Sequence, residues 1–252
     1  MELICIFRTE AGRVARSWLF WIILALHAAV PFLIGLSLLE SRAKGFGYLG
    51  WVVPGFILYA QIYHLYHLAA VVLAAAGMEG AARSGAAGFR PDVVSRRRKQ
   101  YAAKLTVLSL AMWVCVSAQA LSTVMAWVVR FGELPVSINL IKMLLTCVYL
   151  PLRVLPGIVL MLAITMLIAQ YRGRIGTVII GIAVILAMSL PERTGLGGIW
   201  TLDRWMWNAA DPKSAFDMWF LMIAHIVLFV ALGIMAYGGK GATGESADDA
   251  RR

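Results

Sequence analysis

Acidic side chains are scarce in this chain. Against 23 Lys and Arg it carries 13 Asp and Glu, and charged residues of both signs make up only 14% of its 252 residues. That is far too little polar surface for one soluble domain of ordinary composition. Cysteine is scarce as well: Cys5, Cys115 and Cys147 form no CxxC pair, and the last two sit in or beside apolar stretches where Cys behaves as a small hydrophobe, so no disulfide or metal site is read from them. Several catalytic signatures are missing. No G-x-x-x-x-G-K-[ST] phosphate loop is present, since the nearest string, Gly238-Gly239-Lys240-Gly241, lacks both the spacing and the hydroxyl that would touch Mg²⁺. There is no G-x-S-x-G elbow, no H-E-x-x-H helix and no acidic pair within an apolar run. The chain is therefore expected not to be an enzyme by itself, with no catalytic residue, no metal and no cofactor of its own. No repeat of 20–50 residues stands out to suggest a solenoid.

What it does contain is long apolar runs. Hydrophobic residues make up 61% of the chain, and the mean hydropathy is +0.80. A bilayer core needs about 20 apolar residues per helix. The uncharged stretches Trp18 to Leu39, Leu49 to Gly77 and Leu105 to Val129 meet that need. A fourth lies within Leu144 to Gln170, but Arg153 between Pro151 and Pro156 leaves its start at either Leu144 or Val154 and predicts a break or kink. Ile175 to Leu190 and Met218 to Tyr237 complete a count of about six. These runs are apolar on all faces rather than alternating with period two, which excludes a membrane β-barrel. The first run is longer than a signal-peptide core and has no convincing cleavage site, so it is expected to remain as a span.

Positive charge orients the spans. With the N-terminus inside, fifteen Lys and Arg fall on cytoplasmic segments and seven on external ones, with Arg153 left within the fourth run. The positive-inside rule then places both termini in the cytoplasm. The formal charge of +10 follows from that topology and does not imply nucleic-acid binding.

The expected fold is an all-α integral membrane protein of about six transmembrane helices, with an N-terminal interfacial helix and a short cytoplasmic coupling helix. Residues 1–17 mix Leu3, Ile4, Phe7 and Val14 with Arg8, Glu10, Arg13 and Arg16, the pattern of a helix lying in the cytoplasmic interface; the alternative is the polar start of the first span. Residues 18–237 form the transmembrane domain, and its longest cytoplasmic connection is 78–104. That loop begins with a Gly/Ala-rich stretch and continues at Pro91 and Asp92, a helix start, as a short basic helix to Lys104. The external stretch around Trp200, Trp205 and Trp207 reads first as an interfacial aromatic belt, and a re-entrant cap is the second reading. The small, polar tail 238–252 is expected to be disordered.

Two segments resemble the permease subunits of type 2 ABC exporters. The opening, Phe7-Arg8-Thr9-Glu10 through Arg13 and Arg16 into Trp18-Leu19-Phe20-Trp21, is similar to that family's interfacial helix. Pro91 to Lys104, PDVVSRRRKQYAAK, is similar to its Pro, Ser-Arg, then Lys pattern, matched by Pro91, Ser95, Arg96 and Lys104. Where the family often has a Glu-Gly-Thr-Leu-like string leading to the proline, Glu79-Gly80 is followed here by an Ala/Gly-rich stretch. The resemblance implies a permease in the bacterial cytoplasmic (inner) membrane, paired with a separate ATP-binding cassette ATPase that holds ATP and Mg, and with a second permease copy or paralogue. It implies that a short cytoplasmic helix carries the motion of the ATPase to the spans. Asp92, Ser95, Arg96, Arg97, Arg98 and Lys99 are the docking candidates, and topology anchoring or attraction to lipid headgroups is the competing reading of the arginine run.

Polar residues within the runs are costly in lipid and usually face an interior. Gln61, His64 and His67 recur at i, i+3 and i+6, and Gln119, Ser122 and Thr123 cluster on the third run; with Arg153 they are the candidates to line a pathway. Ordinary interhelical hydrogen bonding is the plainer account, and Arg153 is an interfacial anchor if the fourth span starts at Val154. The four histidines, His27, His64, His67 and His225, all fall in predicted spans. A b-type haem or a metal in an electron-transfer membrane subunit is therefore the alternative function.

Overall fold

The computed structural model describes residues 2–42, 65–82, 91–131, 140–193 and 216–239. Seven α-helices and no strand are present among the described residues: α1 (Glu2–Ala15), α2 (Trp18–Arg42), α3 (Leu65–Ala82), α4 (Pro91–Phe131), α5 (Leu140–Tyr171), α6 (Arg174–Arg193) and α7 (Phe216–Gly239). The fold is all-α. Gln61, His64, the Trp200, Trp205 and Trp207 stretch, most of the Gly/Ala-rich loop and the tail beyond Gly239 lie outside the described residues.

Helix α1 is a separate element, bent 65° from α2. The bend falls at Arg16 and Ser17, and Trp21 on α2 reaches back so that its indole N–H donates to the Ala15 carbonyl at 2.8 Å. One of the carbonyls that a helix C-terminus leaves without an internal partner is thereby satisfied, and the angle between the two helices is held by a side chain.

The coupling segment differs from expectation. Pro91 to Lys104 does not form a short helix of its own: it is the first third of α4, which continues unbroken for 41 residues. Pro91 sits in the first turn, where its missing N–H costs nothing, and neither Pro nor Gly follows it before Phe131, so nothing in the chain ends the helix at the boundary between basic and apolar sequence. Helix α5 holds Pro151 and Pro156 inside its 32 residues, and α7 reaches Gly239, two residues past the expected end of the apolar run.

Helix α4 is the centre of the bundle and packs against α1, α2, α3, α5 and α7, while α5 also contacts α3, α6 and α7. The core between them is built from Tyr66, Met112, Ile158, Met161, Leu162 and Met166, each 2% exposed or less. Small residues set the closest approaches. A Cβ on Gly181 of α6 would meet the Val71 side chain of α3 at 2.6 Å, and one on Gly77 of α3 would stand 3.4 Å from Leu108 of α4. The outer faces are apolar too. Ile175, Ile179, Ile182 and Leu186 form an exposed stripe on α6, and Ile223, Val227, Leu228, Leu232 and Met235 form another on α7.

Among the described residues one helix, Val94–Ala126 within α4, is both long and apolar enough to cross a bilayer. Helix α1 with Trp18–Leu33 of α2 makes a second only if the bent pair is taken as one.

Candidate functional site at the basic end of the bundle

The two segments that carry the family resemblance meet. Helix α1 lies against the first third of α4, and two ion pairs join them. At the exposed edge, Lys99 Nζ donates to Glu2 Oε2 at 2.6 Å. Lys99 is the first cause of the lowering of the Glu2 carboxyl below its ordinary value. Deeper in, Lys104 Nζ lies 3.5 Å from Glu10 Oε2, with both side chains more than nine-tenths buried.

Glu10 is also bound by Arg13 Nη1 at 3.1 Å from the next turn of α1. Lys104 donates to the Gly77 carbonyl at 2.5 Å, so one ammonium ties α1, α3 and α4 together. Burial lowers the Lys104 ammonium below the ordinary lysine value, and the Glu10 carboxylate opposes that shift. An unpaired charge at this depth would be prohibitive, whereas a paired and hydrogen-bonded one is tolerable.

Beside this pair is a cavity of about 470 Å³. Arg13, Ser17, Gln100 and Lys104 give it a polar side, and Val14, Leu73, Leu108 and Tyr237 give it an apolar one. Arg13 also lines a second, more open hollow of about 600 Å³, together with Arg8, Thr9, Arg16 and Ser17. Tyr237 in turn packs on Tyr101, with ring centroids 5.8 Å apart, and Gln170 of α5 donates to the Gly233 carbonyl of α7 at 3.1 Å.

The docking candidates divide by exposure. Ser95, Arg96 and Arg98 are exposed, and Arg97 and Lys99 are half-buried. Lys99 is engaged with Glu2, and Arg98 flanks Gly238 at the end of α7. Asp92 lies in the first turn of α4. Of the docking candidates Arg96 and Arg98 are the exposed cations, with Lys99 serving the α1 contact.

Of the pathway candidates, Gln61, His64 and the Arg153 side chain lie outside the described residues. His67 on α3 and Gln119 and Thr123 on α4 are buried, and Ser122 is half-buried. The Thr123 hydroxyl donates to the Gln119 carbonyl at 3.0 Å, one turn back on its own helix, which is how a hydroxyl is satisfied inside an apolar helix. The Gln119 side-chain amide is wholly buried and has no hydrogen-bond partner among the described residues. Arg153 falls within α5 between the two prolines.

Of the histidines, His27 is buried with Nδ1 at 2.8 Å from the Ile23 carbonyl, so this nitrogen carries the proton and donates. Its ring stands 5.7 Å from that of Tyr66. Among the described residues no three His, Cys, Asp or Glu side chains converge as a metal-binding group.

Sequence reasoning had marked Glu10 and Lys104 singly and missed their pairing. The available signal was the acid Glu10 set between Arg8 and Arg13 before the first apolar run, and one lysine directly abutting the third. No family model matches the chain, and neither a curated protein nor a solved structure matches it.

Proposed function

We propose that the chain is the transmembrane permease subunit of a type 2 ABC exporter: six spans, both termini in the cytoplasm of a bacterial inner-membrane protein, energised by a separate ATPase and paired with a second permease. The observation that carries the reading concerns borders. Ser17, Gly77, Lys104 and Tyr237 adjoin or form the cytoplasmic borders assigned from sequence to the first, second, third and sixth apolar runs, and all four line one cavity. Gln170, the border of the fourth run, bonds to Gly233, one turn from Tyr237. A bilayer requires that same-side ends of successive spans share a level, and a soluble bundle has no such requirement. The exposed apolar stripes of α6 and α7 agree, because soluble proteins rarely leave contiguous apolar faces open to water.

In this reading α1 and the first third of α4 form one cytoplasmic unit, and Arg96 and Arg98 offer charge to the partner ATPase. Because the basic segment and the third apolar run are one continuous helix, displacement of the docked end is delivered to the bundle centre without a hinge. Each transport state is favoured only by the contacts that differ between states. The chain itself holds no nucleotide; ATP and Mg reside on the partner.

The test is purification of the tagged full chain from native membranes in mild detergent, followed by identification of what accompanies it and a visible spectrum of the same sample. A stoichiometric ATPase bearing a phosphate-loop motif is the expected result. A haem band without an ATPase would overturn the reading and turn attention to His27, His64, His67 and His225.

A further inference from the structure

We infer that the cavity between α1, α3, α4 and α7 is a binding site for the phosphate-bearing headgroup of an anionic phospholipid, held by Lys104 and Arg13. The inference rests on the membrane placement proposed above. Four cations, Arg8, Arg13, Arg16 and Lys104, line this cavity and the hollow that adjoins it through Arg13, against one carboxylate, Glu10. Even after Glu10 is neutralised, positive charge is in surplus.

Lys104 has three N–H donors, of which Gly77 and Glu10 engage two. Arg13 uses one of its five on Glu10 and keeps most of its side chain exposed at 62%. Donors therefore remain at both residues, one buried and one at the mouth. A phosphate oxygen is among the acceptors that such charged donors bind strongly.

Shape and depth select a lipid over free phosphate. The volume of about 470 Å³ falls within the range of about 300–1,000 Å³ that holds small organic molecules. Half of the wall is aliphatic or aromatic, from Val14, Leu73, Leu108 and Tyr237, which a bare inorganic ion would not use. Ser17, Gly77 and Lys104 put the cavity at the cytoplasmic edge of the apolar runs, the depth of headgroups, where anionic lipids concentrate in the cytoplasmic leaflet. A lipid seated there touches α1, α3, α4 and α7 at once and would brace the unit that receives the ATPase.

The experiment is native mass spectrometry of the full chain in mild detergent, titrated with phosphatidylglycerol, with phosphatidylcholine of the same acyl chains, and with inorganic phosphate. The expected result is one tightly retained phosphatidylglycerol per chain and none of the other two. Arg13→Gln should weaken retention about tenfold, the loss of roughly one charge-assisted hydrogen bond. Arg172→Gln, an exposed charge at the turn between α5 and α6, should leave it unchanged. The double variant Glu10→Gln/Lys104→Met keeps the local net charge while removing the buried donor, and it should also weaken retention. Equal retention of both lipids, displacement by millimolar phosphate, or indifference to Arg13→Gln and to the double variant would each overturn the lipid site. A membrane-extracted chain that fails these tests loses only the lipid site, and a chain recovered from the soluble fraction loses the permease reading with it.

Discussion

The Tyr101 hydroxyl on α4 occupies the space in which a side chain on Gly233 of α7 would have to begin. Tyr101 is fully buried and packed on Tyr237, so any shift of its ring must displace neighbouring side chains. Overpacking a close contact costs about 1–3 kcal/mol, and the roughly 1 kcal/mol that Ala gains over Gly in a helix offsets part of this. Gly233→Ala is expected to lower the thermal unfolding midpoint in detergent. Gly173→Ala, at a position with nothing within 4 Å, is expected to leave it unchanged or raise it. The double variant Gly233→Ala/Tyr101→Ala should lose less than the sum of its two single changes, because the clash is removed along with the ring.

The buried pair Glu10 and Lys104 predicts a characteristic thermodynamic cycle. Removing Glu10 strands the Lys104 ammonium in a site more than nine-tenths buried, a loss of about 3–5 kcal/mol, whereas removing Lys104 leaves Glu10 paired with Arg13 at 3.1 Å and should cost less. Removing both as Glu10→Gln/Lys104→Met should recover most of that stability, since uncharged groups of similar volume are tolerated where a lone charge is not. Chemical denaturation of the two single variants and the double variant in detergent checks this. Single-variant losses that simply add would show that the two charges do not depend on each other.

The outer pair, Glu2 and Lys99, behaves differently because it is exposed. The lysine holds the Glu2 carboxyl below its ordinary value of 4.5. A carboxyl lowered by folding contributes its stabilisation in full above that ordinary value and loses it as pH falls through the lowered one. The protection of the α1 amides, taken relative to the intrinsic exchange rate at each pH, should therefore be high at neutral pH and fall in acid. Lys99→Ala should flatten this pH dependence, and added salt should weaken the tie at neutral pH, as expected for a screened surface pair.

If Arg96 and Arg98 face the partner, Arg96→Gln/Arg98→Gln should release the co-purifying ATPase while the unfolding midpoint stays close to that of the parent chain. Both side chains are exposed, and substitutions at exposed sites usually change stability by less than about 0.5 kcal/mol. Retention of the ATPase by this variant would remove the two arginines from the docking surface.

The helical class and the borders of the apolar runs were legible in the sequence because both depend on local properties: a run without charges either reaches the required length or does not. Trp18, Gly77, Leu105 and Tyr237 could be named as borders from that alone. The continuity of α4 was also present in the sequence as the absence of Pro and Gly after Pro91, but the change from basic to apolar composition at Lys104 suggested a boundary that backbone chemistry does not enforce. The Thr123 hydroxyl donates to the Gln119 carbonyl of its own helix, a choice made by side-chain rotamer that composition does not reveal.

By itself, then, the sequence determined that the chain is helical and apolar, and where each run begins and ends. Tertiary structure alone decided that Glu10 meets Lys104, that Gly233 makes way for Tyr101, and that four distant borders enclose one cavity. Hydrophobic runs are set by neighbours in the chain, whereas these pairings join residues 27 to 220 positions apart, and only the packing of α1, α3 and α7 around α4 brings them together.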